Sequence, residues 1–568
     1  MNSVSTIIYN KLVKFGVKHA FVYSGGAIMP LIDKFHKDNS KKIKYYVSSN
    51  EFCLGTSAVG FAKSSNRTGI CITTSGPGLT NCVTPILDAK ADSVPLLVIS
   101  GQVPLSAIGT NAFQEAPSVD ITRSITKFSY CVKNKEEIND VMEYAYYIAN
   151  NKKKGPVHID IPKCILTSMV DEKQLIKTNK KKIYLQNINK NQKETINKIV
   201  DVINNSSKPV IYAGKGCNNA SKELTEFVEK SNIPITTTLL SLGCYDERKP
   251  LALQMLGMHG NYAANMAIQN ADCIIAIGSR FDDRCIGNVK EYAPKCKNII
   301  HINIESKEIN KIIKSDLNLV MDSKKALKEL LKDIKYRKRK NWLDEIDRWK
   351  EIKFKYSMGV NLKAQEVIEK INNMITDKSK YLFTTGVGNH QMYTAQFITY
   401  THPKQLITSG SLGVMGTCLP YAIGMKLANP DKQIIAIDGD GSFNMSLCDL
   451  KTLVTYNIDV KIIVMNNSSQ DMVRCWEDLF FEQRNTATQV INPCFTKLAQ
   501  AYGIKSLELD KRSDLESTCR QFLEYNGPIL MNVTVDKDFC FPLVKPGNAL
   551  DDMLLEPINM ANSTEIPS

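Results

Sequence analysis

Ile434-Ile435-Ala436-Ile437 runs into Asp438-Gly439-Asp440-Gly441-Ser442, and after a helical stretch Ile462-Ile463-Val464-Met465 runs into Asn466-Asn467. Short apolar runs bounded by glycine and polar residues read as buried strands, and two of them joined through a helix read as a parallel pair with a right-handed crossover. Both polar ends then leave the sheet at one edge, which is where open α/β sheets bind ligands. Asp440 and Asn467 offer oxygen ligands to a hard divalent cation, and Gly439 and Gly441 let a diphosphate approach the backbone. Magnesium holding a diphosphate at a strand edge is the chemistry this spacing suits. A Gly-Asp-Gly by itself would equally be a plain turn.

Outward from this stretch the same alternation of apolar strand and helical segment recurs. It appears near Val22 and at 70–73, 96–100 and 157–161, then at 210–212, 274–277 and 299–304. Polar stretches at 177–182 and 187–193 read as a linker, and the charged segment 332–355 as a second, helical connector. The expected fold is α/β, three doubly wound parallel-sheet domains covering 1–175, 190–335 and 360–545, with one architecture shared by all three and a polar tail beyond Val544.

Composition removes several function classes. No apolar run is long enough to span a bilayer, so no membrane partner is expected. The 16 cysteines include no C-x-x-C pair and the seven histidines lack metal-site spacing, which reads as reduced thiols without a disulfide or zinc framework. The net charge of +14 comes from lysines spread along the chain, a solvated basic surface rather than a nucleic-acid footprint. A helix-like segment begins at residue 7 with no basic or Arg/Ser-rich leader before it, so cytoplasmic residence is the expectation.

The 438–467 arrangement resembles the cofactor motif of thiamine-diphosphate enzymes. Gly101-Gln102-Val103-Pro104, Ile108-Gly109-Thr110, Ala112-Phe113-Gln114-Glu115, Leu256-Gly257-Met258-His259-Gly260, Arg280-Phe281-Asp282-Asp283-Arg284 and Thr384-Thr385-Gly386-Val387-Gly388 narrow the likeness. Together they are similar to the acetohydroxyacid synthase (acetolactate synthase) catalytic-subunit family, over almost the whole chain from Phe21 to Val533.

The resemblance implies three domains that bind the cofactor's pyrimidine, a flavin and the diphosphate with Mg2+. It also implies decarboxylation of pyruvate and ligation of the two-carbon unit to a second pyruvate or to 2-ketobutyrate, in branched-chain amino-acid biosynthesis. Glu51 would hydrogen-bond N1′ of the aminopyrimidine; alone, it reads as a helix N-terminal charge. Thr74, Pro77 and Asn81 would wall the pyrimidine, although Ser75-Gly76-Pro77-Gly78 is also simple turn chemistry. Gln114, with Phe113, would border the substrate chamber, and Lys163 would stand at the channel mouth, where a surface lysine would look the same. Met415 would bend the thiamine while Gly413 accepts from its 4′-amino group; a Met there is otherwise core packing. Val387, Gly388, Asn389, His390, Gly439, Asp440, Gly441, Ser442, Asn467 and Met472 would hold the rest of thiamine diphosphate, with Asp440, Asn467 and the Ser469 carbonyl on Mg2+.

For FAD, a structural group because neither step is a net redox change, the resemblance implies Lys153, Gly214, Lys215, Gly216, Thr238, Leu239, Leu256, Gly257, Met258, His259, Gly278, Arg280, Asp282 and Arg284. Arg284 would also clamp the acceptor's carboxylate, and Trp476 would favour its ethyl side chain. The chain departs from the family pattern at Ser24, Asn50, Lys153, Lys215, Asn389 and Asp471. Of these, Lys153 and Lys215 fall in the expected flavin site, and Asp471 adds a carboxylate beside the substrate chamber that would repel a keto acid. Implied partners are a second copy of the chain, as homodimer or homotetramer, and a separate regulatory subunit. Two other readings stay open: a related thiamine-diphosphate 2-keto acid decarboxylase without ligation, and a pseudoenzyme that keeps the fold.

Overall fold

A computed structural model describes residues 1–38, 41–175, 188–352, 354, 356 and 358–555. Linker residues 177–182 and the end of the polar tail lie outside them. Three six-stranded sheets, every neighbouring pair parallel, follow one another along the chain. The first contains His19–Val22, Lys44–Tyr46, Gly69–Thr73, Leu96–Gln102, Phe128–Cys131 and Pro156–Pro162. The second contains Pro209–Ala213, Ile235–Thr237, Ala252–Met255, Cys273–Ile277, Asn298–Asn303 and Leu317–Val320. The third contains Tyr381–Thr385, Leu406–Ile407, Gln433–Gly439, Lys461–Asn466, Lys505–Leu509 and Ile529–Thr534. The central strands are buried on both faces, which is why they read as continuous Ile/Val/Leu runs rather than alternating ones.

The expectation of one architecture for all three holds only in part. Numbered within each unit, the first and third sheets run 2-1-3-4-6-5, whereas the middle sheet runs 3-2-1-4-5-6. The middle order is that of dinucleotide-binding folds, with a crevice between strands 1 and 4. Local patterning shows a strand and a helix but not which side of the sheet the next crossover takes.

First and third units pack through helices Glu51–Ser64 and Cys418–Ala428, in one shared core with Leu54, Ala58, Leu419 and Ala422. The run of small residues in the first helix permits this crossing. A Cβ on Gly424 would fall 2.0 Å from the Ser57 carbonyl oxygen, so only glycine lets the backbones touch.

Two connecting segments do more than connect. Helix Lys340–Glu351, expected as a linker, buries Trp342 and Ile346 against Tyr212 and Ile274 of the middle unit. Beyond the third sheet, Leu543–Val544 pairs with Met553–Leu554, and the segment turns back onto the middle unit. There Val544 N donates to the Met258 carbonyl (2.8 Å), and Leu550 is fully buried beside Phe281 and Ile286. No helix among the described residues is long and apolar enough to cross a membrane.

Candidate active site

In the third unit the strand order reverses between Tyr381–Thr385 and Gln433–Gly439, and the residues after both strands converge. Gly386 passes so close to the neighbouring tip that a Cβ there would lie 2.2 Å from Asp438 Oδ1. His390 Nε2 stands 3.2 Å from the same oxygen, both side chains buried. Ser442 Oγ accepts from Gly416 N (2.9 Å), which ties the 413–416 turn to this edge, and Met415 Cε lies over Gly441.

Asp440 is 1% exposed, and burial pushes its carboxyl above the usual range. Asn492 Nδ2 donates to Asp440 Oδ2 at 2.6 Å and to Asn466 Oδ1 at 3.0 Å. Asn492 carries no signal in the sequence, because its partner is 52 residues away and only the folded loop brings them together. Asn467 is half-buried beside this edge and Ser469 is buried. A single carboxylate with amide and carbonyl oxygens fits Mg2+, which takes much of its shell from phosphate and water. Among the described residues no cluster of three or more His, Cys, Asp or Glu forms a dedicated cage.

One expectation is corrected here. Asp471 is not a bare carboxylate in a chamber: its Oδ1 lies 2.6 Å from Arg474 Nε, and its Oδ2 accepts from Asp538 N (2.9 Å). Its charge is compensated before a keto acid could meet it. Asn389, expected along the diphosphate, turns its amide Nδ2 to Asp471 Oδ2 (3.3 Å) and the Asp538 carbonyl (3.0 Å).

At the first unit's edge, Glu51 opens its helix with Asn50 as N-cap; Asn50 Oδ1 accepts from Cys53 N at 2.8 Å, a role for which Asn is among the best residues. Glu51 is 9% exposed and its Oε2 accepts from Asn81 Nδ2 (3.0 Å). Thr74 Oγ1 is buried without a partner just ahead of the Pro77–Thr80 turn of helix. Gln114 stands against that turn at φ 61°, and the preceding Phe113 is 88% exposed. Lys163 is exposed at the first position of helix Lys163–Thr167, and its neighbour Cys164 accepts from Leu105 N (3.4 Å) at the root of the Gln114 loop.

The middle unit's switch point brings Gly214-Lys215-Gly216 against Gly278; a Cβ on Gly214 would lie 2.4 Å from the Gly278 oxygen. A cavity of about 920 Å³ opens there, and of the fourteen residues expected around a flavin all but Gly257 line it. Nine cationic side chains face five carboxylates around it, a balance suited to a diphosphate. Lys215 reaches the Asp92 backbone oxygen of the first unit, and burial lowers its pKa to about 8. Lys153 pairs with Glu308 at 2.6 Å. At the cavity's back wall Lys63 is bound by Asp88 (3.0 Å), Asp92 (2.8 Å), the Thr408 carbonyl (3.0 Å) and Tyr421 (2.8 Å), all buried. That network, like Asn492, has no local sequence signature.

The same cavity reaches the third unit at Val387, Gly413, Met472 and Trp476, whose ring stacks on Phe480 at 5.2 Å. Arg284 stands at its rim, largely exposed, with Nη1 near Met258 Sδ. Glu51, Thr74, Pro77, Asn81 and Gln114 lie outside its wall. Asp440, Asn467, Ser469, His390 and Met415 of the third unit's edge do not line it either, so the chain presents three groups of candidate residues: one around the cavity, one on the third unit's edge and one on the first unit's edge.

Residues 2–122, 196–330 and 386–533 match, in order, the N-terminal TPP binding, central and C-terminal TPP binding domains of the thiamine pyrophosphate enzymes. The chain is 40% identical over 571 residues to the acetolactate synthase catalytic subunit, mitochondrial, of Saccharomyces cerevisiae, covering 96% of this chain and 83% of that one. It is 39% identical to the acetolactate synthase large subunit of Lactococcus lactis (97% and 96% covered), and 38% identical to the chloroplastic acetolactate synthase of Arabidopsis thaliana (97% and 84%).

Proposed function

The chain belongs to the thiamine pyrophosphate enzymes, among the acetolactate synthases, and from that premise we propose that it joins pyruvate to a second 2-keto acid. The observation that carries this reading is the single cavity in which the middle unit's switch point meets Val387, Gly413, Met472 and Trp476. Thiamine diphosphate, when bound, supplies the electron sink for decarboxylation. Asp440, Asn467 and the Ser469 carbonyl would hold Mg2+ against the diphosphate, with Val387, Gly388, His390, Gly439, Gly441 and Ser442 around it. Asn492, bonded to Asp440 Oδ2, would hold the carboxylate in place while its other oxygen faces the cation.

Met415, packed over Gly441, would set the bend of the cofactor, and Gly413 would offer its backbone oxygen. Glu51 would hold the proton shared with the pyrimidine, oriented by Asn81. Trp476 and Met472 give the acceptor an apolar wall, and Arg284 a guanidinium for its carboxylate. The cavity's positive lining and its dinucleotide-type strand order support FAD in the middle unit, with Lys153 and Lys215 as its cations.

One cofactor must meet both Glu51 of a first unit and Asp440, Asn467 and Met415 of a third, which supports a homodimer in which each complete site takes its pyrimidine-binding edge from the other subunit, or a tetramer of such pairs. Phe113, 88% exposed beside Gln114, fits such a covered face. The domain limits 1–175, 190–335 and 360–545 belong to the same reading, with the 543–554 segment lying across the middle domain. The relatives' names as catalytic and large subunits support a separate regulatory subunit. Two of the named relatives are mitochondrial or chloroplastic, so fractionation of cells producing the chain tests the cytoplasmic reading.

The deciding experiment incubates the protein with pyruvate, with and without 2-ketobutyrate, omitting in turn thiamine diphosphate, Mg2+ and FAD. Formation of 2-acetolactate and 2-aceto-2-hydroxybutyrate is expected. Acetaldehyde as the sole product would replace this reading with a simple decarboxylase.

A further inference from the structure

Helix Asp471–Phe480 brings Met472 and Trp476 to the cavity, yet little apolar packing holds it there. Of its ten residues only Asp471 and Cys475 are buried, and Val473 is 49% exposed. None of its apolar side chains belongs to the five hydrophobic cores formed by the described residues. A helix this short is marginal in water by itself, so its pose has to come from polar ties.

Those ties lie on one face. By helical periodicity Asp471, Arg474, Cys475 and Asp478 share a side of the helix, and Met472 and Trp476 share the next one. Asp471 Oδ1 accepts from Arg474 Nε (2.6 Å), and Arg474 Nη1 donates to Asp478. Asp471 Oδ2 accepts from Asp538 N (2.9 Å), and Cys475 Sγ donates to the Asp538 carbonyl (3.3 Å). The Arg474 guanidinium lies 5.4 Å over the Phe539 ring, in cation–π contact.

Asp538 and Phe539 are in turn fixed to the body of the third unit. From helix Ala364–Met374, Gln365 Nε2 donates to Asp538 Oδ2 (3.1 Å), and Lys363 Nζ, at that helix's start, lies 3.3 Å from the same oxygen. From helix Asn389–Phe397, Asn389 Nδ2 donates to the Asp538 carbonyl (3.0 Å) and Tyr393 Oη to the Phe539 carbonyl (3.0 Å). On the other side of helix Asp471–Phe480, Glu477 accepts from Thr488 Oγ1 (2.8 Å) and Thr486 N (3.1 Å), which belong to the loop that follows it.

We propose that Asp471 and Arg474 are positioning residues that set the acceptor wall. By seating the helix on Asp538 and Phe539 they fix where Met472 and Trp476 stand, and so which second 2-keto acid is preferred. The acceptor preference rests on the acetolactate synthase reading, while the seating of the helix does not. Arginine suits the post because one planar fork serves two carboxylates and still lies flat on a ring.

Asp471→Asn keeps the shape and breaks the pattern: with its one oxygen on Asp538 N, its amide hydrogens meet the Arg474 N–H groups. Arg474→Lys keeps the charge but not the fork. The full chain and both variants are compared by hydrogen exchange without substrate, and by the products formed from mixed pyruvate and 2-ketobutyrate. Exchange in 471–480 should rise about 10-fold or more in each variant, the worth of a charge-assisted hydrogen bond, and stay level in the three sheets. The share of 2-aceto-2-hydroxybutyrate should fall at least about threefold, part of the ~10-fold or more that a methylene's contact commands. In a Trp476→Leu background each substitution should move the ratio less than it does in the wild type, because it acts through that side chain.

Exchange no faster than in the wild type would overturn the seating. An unmoved ratio, or an undiminished shift beside Trp476→Leu, would overturn the selection. A wild type that forms neither ligation product would overturn the function proposed above and the selection with it, a failure read from products alone. Should one variant not fold, the other carries both measurements. Two variants that do not fold would show that the pair holds the fold and not the wall, which also overturns the proposal.

Discussion

The first and third units share one strand order, 2-1-3-4-6-5, yet their equivalent edges present different chemistry. The third unit's edge is glycine-lined backbone around two buried carboxylates, Asp438 beside His390 and Asp440 with amide partners. The first unit's edge carries a carboxyl at a helix start, Glu51, with an amide partner, a buried hydroxyl without one and an exposed aromatic loop. The sheet order fixes where a ligand goes, and the few residues after each strand fix what the edge can do to it. One edge suits a charged, metal-bound tail, the other a ring that exchanges a proton.

The comparison breaks most sharply at Glu51. Glu51→Gln should leave folding and Mg2+-dependent cofactor affinity intact while turnover falls ~10²–10⁴-fold, the range of a lost acid–base group. Wild-type turnover in a calorimetrically normal variant would strip the first edge of its chemistry. Next comes the joint between the two units. Lys63→Met leaves Asp88 and Asp92 buried without their cation, a change that typically costs about 3–5 kcal/mol. The midpoint of chemical denaturation should drop accordingly, and an unchanged midpoint would mean that the units are not joined through this network.

Asp440→Ala should weaken Mg2+-dependent thiamine diphosphate binding by more than the ~10–100-fold typical of outer-shell changes. Mixed with Glu51→Gln under conditions that exchange subunits, it should recover about a quarter of wild-type activity, because half the dimers would be mixed and each would hold one intact site. Mixed dimers that form and stay inactive would show that each chain completes its own site. The smallest effect belongs to Trp476→Leu, which should move the 2-ketobutyrate-to-pyruvate product ratio by about 1–3 kcal/mol with little loss of rate. A ratio that does not move would take Trp476 out of acceptor selection.

Much of this was legible in the sequence where a function sits in one short run. The strand, the Gly-Asp-Gly tip and the return to Asn466-Asn467 lie within a single crossover, and each is where the alternation puts it. Contacts between distant segments were not legible. Asn492 meets Asp440 through a loop, and Lys63 meets Tyr421 across 358 residues. The middle unit's strand order was hidden for the same reason. Asp471 is a different case, since Arg474 stands three residues on in the same helix and that spacing alone forecasts the ion pair.

The segment 543–554, which lies on the middle unit, sets an order of events during synthesis. The middle sheet is complete at Val320, but Leu550 is part of its core and leaves the ribosome roughly 230 residues later. At ~5–20 residues per second that is an interval of roughly 10–50 s. During it the cleft beside Tyr212, Phe281 and Ile286 stands uncovered, and a nascent chain that stalls anywhere in the third unit holds a middle unit with its seam still open.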